Sequence, residues 1–141
     1  MSPAPLLLVD TSAWKKNKHA RVKPWFDQAA LNGEIAICDQ VVMELFYEPT
    51  RAADYRRLAH ALSGFTRIPM IEHDWLRARE VQTSLAALGH GEHKKVKIAD
   101  LLIAAAAERA GLILVHYDQD FDDIAGVTGQ STQWIGPRGE L

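Results

Sequence analysis

Asp10 closes the run "LLLVD", in which four apolar residues lead straight into a carboxylate, and Thr11 and Ser12 follow at once. Glu44 lies among Val41, Val42, Met43, Leu45 and Phe46. Asp100 sits near the start of "KIADLLIAAAAERAG", a strongly apolar stretch. Asp118 follows "LILVHY", and Asp120 comes two residues later. A carboxylate among apolar residues is costly unless hydrogen bonds or a cation compensate it. Each acid alone has an ordinary reading. Asp10 could cap a helix, Glu44 could face solvent, Asp100 could favour the first turn of its helix, and Asp118 and Asp120 could be turn residues. Brought together, Asp10, Glu44, Asp100 and Asp118 would repel one another strongly unless a cation were bound. An all-oxygen donor set suits a hard ion, Mg²⁺ or in its place Mn²⁺. Zinc is disfavoured, because the six histidines show no H-x-x-x-H spacing and no pairing with the one cysteine. Mg²⁺ bridges readily to phosphate oxygens, and a site of this kind can activate water for in-line displacement at phosphorus. Phosphodiester hydrolysis is the natural task. Thr11 and Ser12 are placed to hold the carboxylates, or a bound water, in orientation.

The elements that must position these acids can be read from the apolar pattern. Leu6 to Val9 reads as a short buried strand, Glu34 to Cys38 as a second, and Leu112 to His116 as another. Short strands are also expected around Arg67-Ile68 and over Thr132 to Ile135. Helices are expected over Pro24 to Leu31, from Asp39 as cap through Tyr47, over Ala52 to Leu62, and over Glu72 to Leu88. In the last of these, Trp75, Ala78, Val81 and Leu85 form the apolar face. Gly89 to Lys97 reads as a polar loop, and Ile98 to Ala110 as an apolar helix ended by Gly111. A short helix over Phe121 to Ala125 follows, and "GPRGEL" reads as a loose tail. Strand and helix alternate, and the strands are continuous apolar runs. The fold class is therefore α/β, with a mostly parallel sheet covered on both faces. Such folds place sites beyond the carboxyl ends of strands, where the strand order switches. Asp10 and Asp118 stand just past strand ends.

The chain of 141 residues, 48% of them hydrophobic, suits one domain with a real core. Its net charge of −2 selects no partner. Cys38 is the single cysteine, so no internal disulfide forms, and a core role in a reducing compartment is expected. No run approaches the roughly 20 apolar residues that cross a bilayer. The N-terminal segment lacks a basic start, so a cytoplasmic protein without membrane attachment is expected.

Positive charge is clustered beside the acids. Lys15, Lys16, Lys18, Arg21 and Lys23 follow Asp10, and Lys94, Lys95 and Lys97 precede Asp100. Cations around an acidic pit would hold a polyanion over a metal centre, and otherwise they are ordinary loop charge. Trp14 could stack on an unpaired base, although a packing tryptophan is the plainer reading. His116 could assist proton transfer or be a hydrogen-bonded structural residue. His93, Asp122 and Asp123 read as surface.

"LLLVDTSAW", "VVMELFYE", "KIADLLIAAAAERAG" and "LVHYDQDFDDIA", in this order and with the tail "TGQSTQWIGPRGEL", resemble the PIN-domain ribonucleases. Within them, the sequence is similar to the VapC-type toxins of bacterial toxin–antitoxin pairs. The resemblance implies one PIN-like domain over residues 1–141, with a parallel sheet of about five strands between helices. It implies Mg²⁺- or Mn²⁺-dependent endoribonuclease activity, a homodimer, and a small VapB-type antitoxin whose tail blocks the site. Asp10, Glu44, Asp100 and Asp118 match the catalytic acids. Asp10, Asp100 and Asp118, joined by Asp120, match the metal ligands, and Phe121 packs below. Ser12 matches a small polar residue bracing the first acid. Exposed apolar faces around Phe46, Tyr47, Tyr55 and Leu58 could receive the inhibitor. Many relatives carry an arginine before the third acid, where this chain has "HKKVK".

Two rival readings differ in class. A non-catalytic RNA- or protein-binding module of the same fold would have no use for the full acid set. A receiver or aspartate-nucleophile phosphatase needs paired acids at the first strand end, whereas here the D-x-D stands at residues 118 to 120.

Overall fold

The computed structural model describes residues 5–141. β1 (Leu7–Val9) leads into a single helical turn, α1 (Thr11–Trp14), and then α2 (Lys23–Leu31). β2 (Ile35–Cys38), α3 (Asp39–Phe46), α4 (Ala52–Leu62) and β3 (Thr66–Ile68) follow. α5 (Glu72–Ala87), the one-turn α6 (Glu92–Lys95), α7 (Ile98–Ala110) and β4 (Ile113–His116) come next. α8 (Gln119–Thr128) and β5 (Thr132–Trp134) complete the described elements. The strands form one five-stranded sheet in the order β3-β2-β1-β4-β5, and every pairing is parallel. β1 and β2 are buried throughout, as expected for strands covered on both faces.

The order explains where a site can form. From β1 the chain steps outward to β2 and β3, then returns to place β4 on the other side of β1. The β1/β4 seam is therefore the point where the strand order switches. Val9 is in register with Val115, and Asp10 N–H donates to Val115 O at 2.9 Å. Residues just past these two strands consequently open on the same edge.

α7 is buried along nearly its whole length, from Asp100 to Ala107, and packs against α5, α8 and β4. Its small Ala104 to Ala107 run allows close approach of neighbouring elements. Gly111 ends it in the left-handed conformation, φ 68°, which a glycine adopts without steric penalty. Trp14 lies edge-on against Phe26 and Phe65, with both centroid distances 5.0 Å. It is therefore a core residue, with no face free for a base. Cys38 is buried in the sheet, and burial pushes its thiol up to about 11.

Several local expectations are corrected. Trp75 is 56% exposed, and Asp74 takes the inward position instead. The buried stripe is Asp74, Ala78, Val81 and Leu85, whose i, i+4, i+7 spacing leaves Trp75 about 100° off the face. Asp74 can be buried because Arg109 donates to both its carboxylate oxygens, at 2.8 and 3.1 Å, and Ile71 N–H donates at 2.9 Å. Asp39 is not a cap but the first helical residue, and Cys38 precedes it at the cap position. Its carboxylate turns to Arg67 Nε at 2.7 Å, which lowers its pKa. The expected loop before α7 contains the turn α6, and α8 extends beyond both ends of the short helix expected there. The C-terminal segment is not loose. Tyr117 Oη donates to Pro137 O at 3.2 Å and accepts Leu141 N–H at 3.0 Å, while Leu141 packs on the core.

Removing one partner of a buried ion pair leaves an uncompensated charge. Arg109→Ala is expected to lower unfolding free energy by about 3 kcal/mol. Urea denaturation would measure it, and an unchanged midpoint would show that the Asp74 carboxylate needs no such partner.

Candidate functional site

β1 delivers Asp10 to the sheet edge, where it caps α1. Its Oδ2 accepts the Ser12 N–H at 2.9 Å and the Ser12 Oγ–H at 2.6 Å. Oδ1 is buried and takes no hydrogen bond among the described residues. β4 ends in the same way. After it, Asp118 caps α8, its Oδ1 accepting the Asp120 N–H at 2.9 Å. Each strand-end acid thus fixes one oxygen on the helix that follows it. Ser12 joins the two ends. It donates to Asp10 through Oγ and accepts the Tyr117 N–H at 2.8 Å. The cap uses Oδ2 alone, so Asp10 can serve as a helix cap and still border the cavity with Oδ1 unbonded among the described residues.

Asp100 comes from the first turn of α7 and is 5% exposed. Its Oδ2 is also buried without a hydrogen bond among the described residues. Oxygens of Asp100, Asp118 and Asp120 all lie within 4.8 Å of one another. Glu44 reaches in from α3, half-buried, and accepts from Thr11 Oγ1 at 3.2 Å. Asp10, Thr11, Ser12, Lys15, Glu44, Lys97, Asp100 and Asp118 line one cavity of about 170 Å³. The structure therefore gathers all four expected catalytic acids and the two hydroxyl residues. Asp10 lies outside the tight trio of oxygens but borders the same cavity.

The electrostatics are those of like charges forced together. Burial, followed by the neighbouring Asp120, Asp10 and Asp118, pushes the Asp100 carboxyl up to about 9. Burial also raises Asp10, with the Ser12 hydrogen bonds pulling the other way. Glu44 is raised by burial and by Asp10, and Lys97 and Lys15 oppose the shift. Lys97 is in turn raised, chiefly by Asp100, and its Nζ lies 3.7 Å from Asp118 Oδ2. The buried acceptor oxygens without donors and the all-oxygen trio fit a hard divalent cation.

The cations divide. Lys15 and Lys97 line the cavity. Lys16 instead lies over the Tyr117 ring and donates to Leu141 O at 3.3 Å. Lys18 is exposed outside the cavity lining. Lys94 and Lys95 lie on α6, also outside it, and Lys95 pairs with Glu92 at 3.2 Å. Lys97 is the member of "HKKVK" that reaches the acids, because it immediately precedes α7 while α6 carries the other two away.

Other residues are also placed. His116 is fully buried, its pKa lowered by burial, and it is absent from the cavity lining. Asp122 is not simply surface, since it accepts from Trp134 Nε1. Phe121 is a fully buried core residue whose ring lies 5.1 Å from that of His116. Phe46 stacks on Tyr55 at 4.4 Å, while Tyr47 is 89% exposed.

The PIN domain family model matches residues 7–127. Ribonuclease VapC18 of Mycobacterium tuberculosis is 46% identical over 133 residues, covering 94% of this chain and 97% of that protein. A DNA-bound VapBC crystal structure from Salmonella typhimurium superposes with a TM-score of 0.75 at 18% identity, covering 94% of this chain and 100% of the other. VapBC-5 of Mycobacterium tuberculosis, a member of a family of toxin–antitoxin systems, gives a TM-score of 0.61 at 23% identity over 96% of this chain and 100% of that one.

A carboxyl whose folded pKa exceeds its unfolded value binds extra protons in the native state. For Asp100 the window runs from 3.8 to about 9. Across it, this group makes stability fall as pH rises. In EDTA, the melting temperature should therefore decline from pH 6 to 9 more steeply than that of Asp100→Asn, which should melt higher at pH 8. Parallel profiles would show that Asp100 carries no such strain.

Proposed function

The chain belongs to the PIN-domain family, and on that premise we propose that it is a metal-dependent endoribonuclease, the toxin of a type II toxin–antitoxin pair. The observation that carries this reading is the convergence of Asp10, Glu44, Asp100 and Asp118 on one cavity, with two buried carboxylate oxygens lacking donors. Asp10, Asp100, Asp118 and Asp120 would hold Mg²⁺, or Mn²⁺ in its place. A divalent cation bound there supplies a water of lowered pKa and charge neutralisation at the scissile phosphate.

The chain's own groups account for the rest. Ser12 and the α1 and α8 backbone hold Asp10 and Asp118 in fixed orientations. Glu44, raised in pKa and half-buried, is placed to accept a proton from an attacking water. Lys15 and Lys97 stand on the cavity lining, where RNA phosphates flanking the cut would lie. Lys16, Lys18, Lys94 and Lys95 would attract RNA only at longer range.

The likeness to toxin–antitoxin systems supports a small VapB-type antitoxin as partner. The strongly exposed Tyr47, one helical turn beyond Glu44, is a suitable contact for it. A homodimer and a cytoplasmic location belong to the same reading. No described helix is long and apolar enough to cross a membrane.

Purified antitoxin-free protein should cut cellular RNA at discrete positions with Mg²⁺ or Mn²⁺ and not with EDTA. Asp10→Asn, Asp100→Asn and Asp118→Asn should each lower cleavage by more than about a hundredfold while remaining folded, since even groups that merely orient metal ligands are worth 10–100-fold. Undiminished cleavage by all three would sink the assignment. Lys15→Ala and Lys97→Ala should each weaken RNA binding and flatten the plot of log affinity against log salt by about 0.7. A slope unchanged in both would remove these lysines from the RNA path.

A further inference from the structure

His116 ends β4 and is fully buried. Its ring is wedged between Phe121 and Trp134, with centroid distances of 5.1 and 4.9 Å. Nδ1 accepts the backbone N–H of Asp118 at 3.2 Å. A ring nitrogen that accepts carries no hydrogen, so the hydrogen of the neutral ring is on Nε2. Nε2 is buried without a hydrogen bond among the described residues, and Asp122 Oδ1 stands 3.8 Å from it. Asp122 is fixed by Trp134, whose Nε1 donates to Oδ1 at 3.2 Å and to Oδ2 at 3.1 Å. A carboxylate facing Nε2 favours a hydrogen on that nitrogen and a lone pair on Nδ1.

Packing alone does not account for this residue type. An apolar side chain would fill the space between Phe121 and Trp134 without burying a polar nitrogen. What a histidine adds is the acceptor for the main chain of Asp118. The β4–α8 turn then hangs on two such bonds, Tyr117 N–H to Ser12 Oγ and Asp118 N–H to His116 Nδ1.

We propose that His116 is a positioning residue: its Nδ1 holds the Asp118 main chain so that the Asp118 carboxylate keeps the spacing to Asp100 and Asp120 that a divalent cation requires. Asp122 and Trp134 fix the ring in the tautomer that makes this possible. The inference rests on the metal-dependent nuclease reading, but it concerns metal binding and not turnover.

The test is Mn²⁺ affinity of the full chain, read from the electron paramagnetic resonance of free Mn²⁺, for His116→Asn, His116→Gln and His116→Leu. Circular dichroism and melting in EDTA would confirm folding. Asparagine returns an amide oxygen near the place of Nδ1, whereas glutamine extends towards Nε2 and leucine offers no acceptor. Leucine and glutamine should weaken Mn²⁺ binding by about tenfold or more, and asparagine should stay close to the unsubstituted protein. Equal affinities among the folded variants would overturn the proposal. Should the variants fail to fold, long-range ¹H–¹⁵N spectra of the unsubstituted protein decide. A hydrogen on Nε2 of His116 supports the role, and one on Nδ1 ends it. The expected affinity order among the variants, together with no RNA cleavage by the unsubstituted protein, would remove the nuclease reading and leave His116 as a positioning residue for Asp118.

Discussion

Mutual repulsion among carboxylates at the β1/β4 seam is the constraint on which the rest of the structure depends. Asp10 and Asp100 are almost fully buried, and Asp118, Asp120 and Glu44 close the same space. Like charges at such separations raise one another's pKa, and burial adds to the shift. The protein answers with backbone amides and not with buried cations. Asp10 and Asp118 each take amide hydrogens from the first turn of the next helix. Such N–H groups would otherwise lack partners at a helix start. One oxygen of each acid is thereby immobilised, and the cavity keeps the other.

That arrangement needs a rigid frame, and the sheet supplies it. β1 and β4 are paired in parallel at the switch in strand order, so their ends cannot move apart without breaking the ladder. Ser12 ties the two ends again beyond the last paired residues. α7 brings Asp100 from behind, held by a nearly continuous buried face. The cations have no such hold. Lys15 and Lys97 are exposed and reach the cavity from its rim, a placement suited to meeting a flexible polyanion.

The same polar chemistry serves two ends elsewhere in the molecule. Asp74 is wholly buried, yet an arginine fork and an amide satisfy it, and it lies far along the chain from the acids of the cavity. Burial of an acid is therefore not by itself a mark of a site in this fold. Asp74 differs from Asp100 in its partners: two fixed donors to its carboxylate in one case, a buried oxygen without a donor in the other.

The sequence by itself determined the α/β class, the buried strands and four acids in costly surroundings. It could do so because apolar runs and misplaced charges are local signals. The bounds of the central helices and the C′ role of Gly111 were equally legible. Only the tertiary structure decided which charges meet. Asp74 and Trp75 exchanged the expected inward position because burial of Asp74 depends on Arg109, 35 residues away. Lys97 separated from Lys94 and Lys95 because those two lie on α6 whereas Lys97 caps α7. Asp122 gained its role from Trp134, and His116 from the backbone of Asp118. Spacing along a chain states what a residue is able to do. Whether it does so depends on partners distant in sequence, whose approach is fixed by strand order and helix packing.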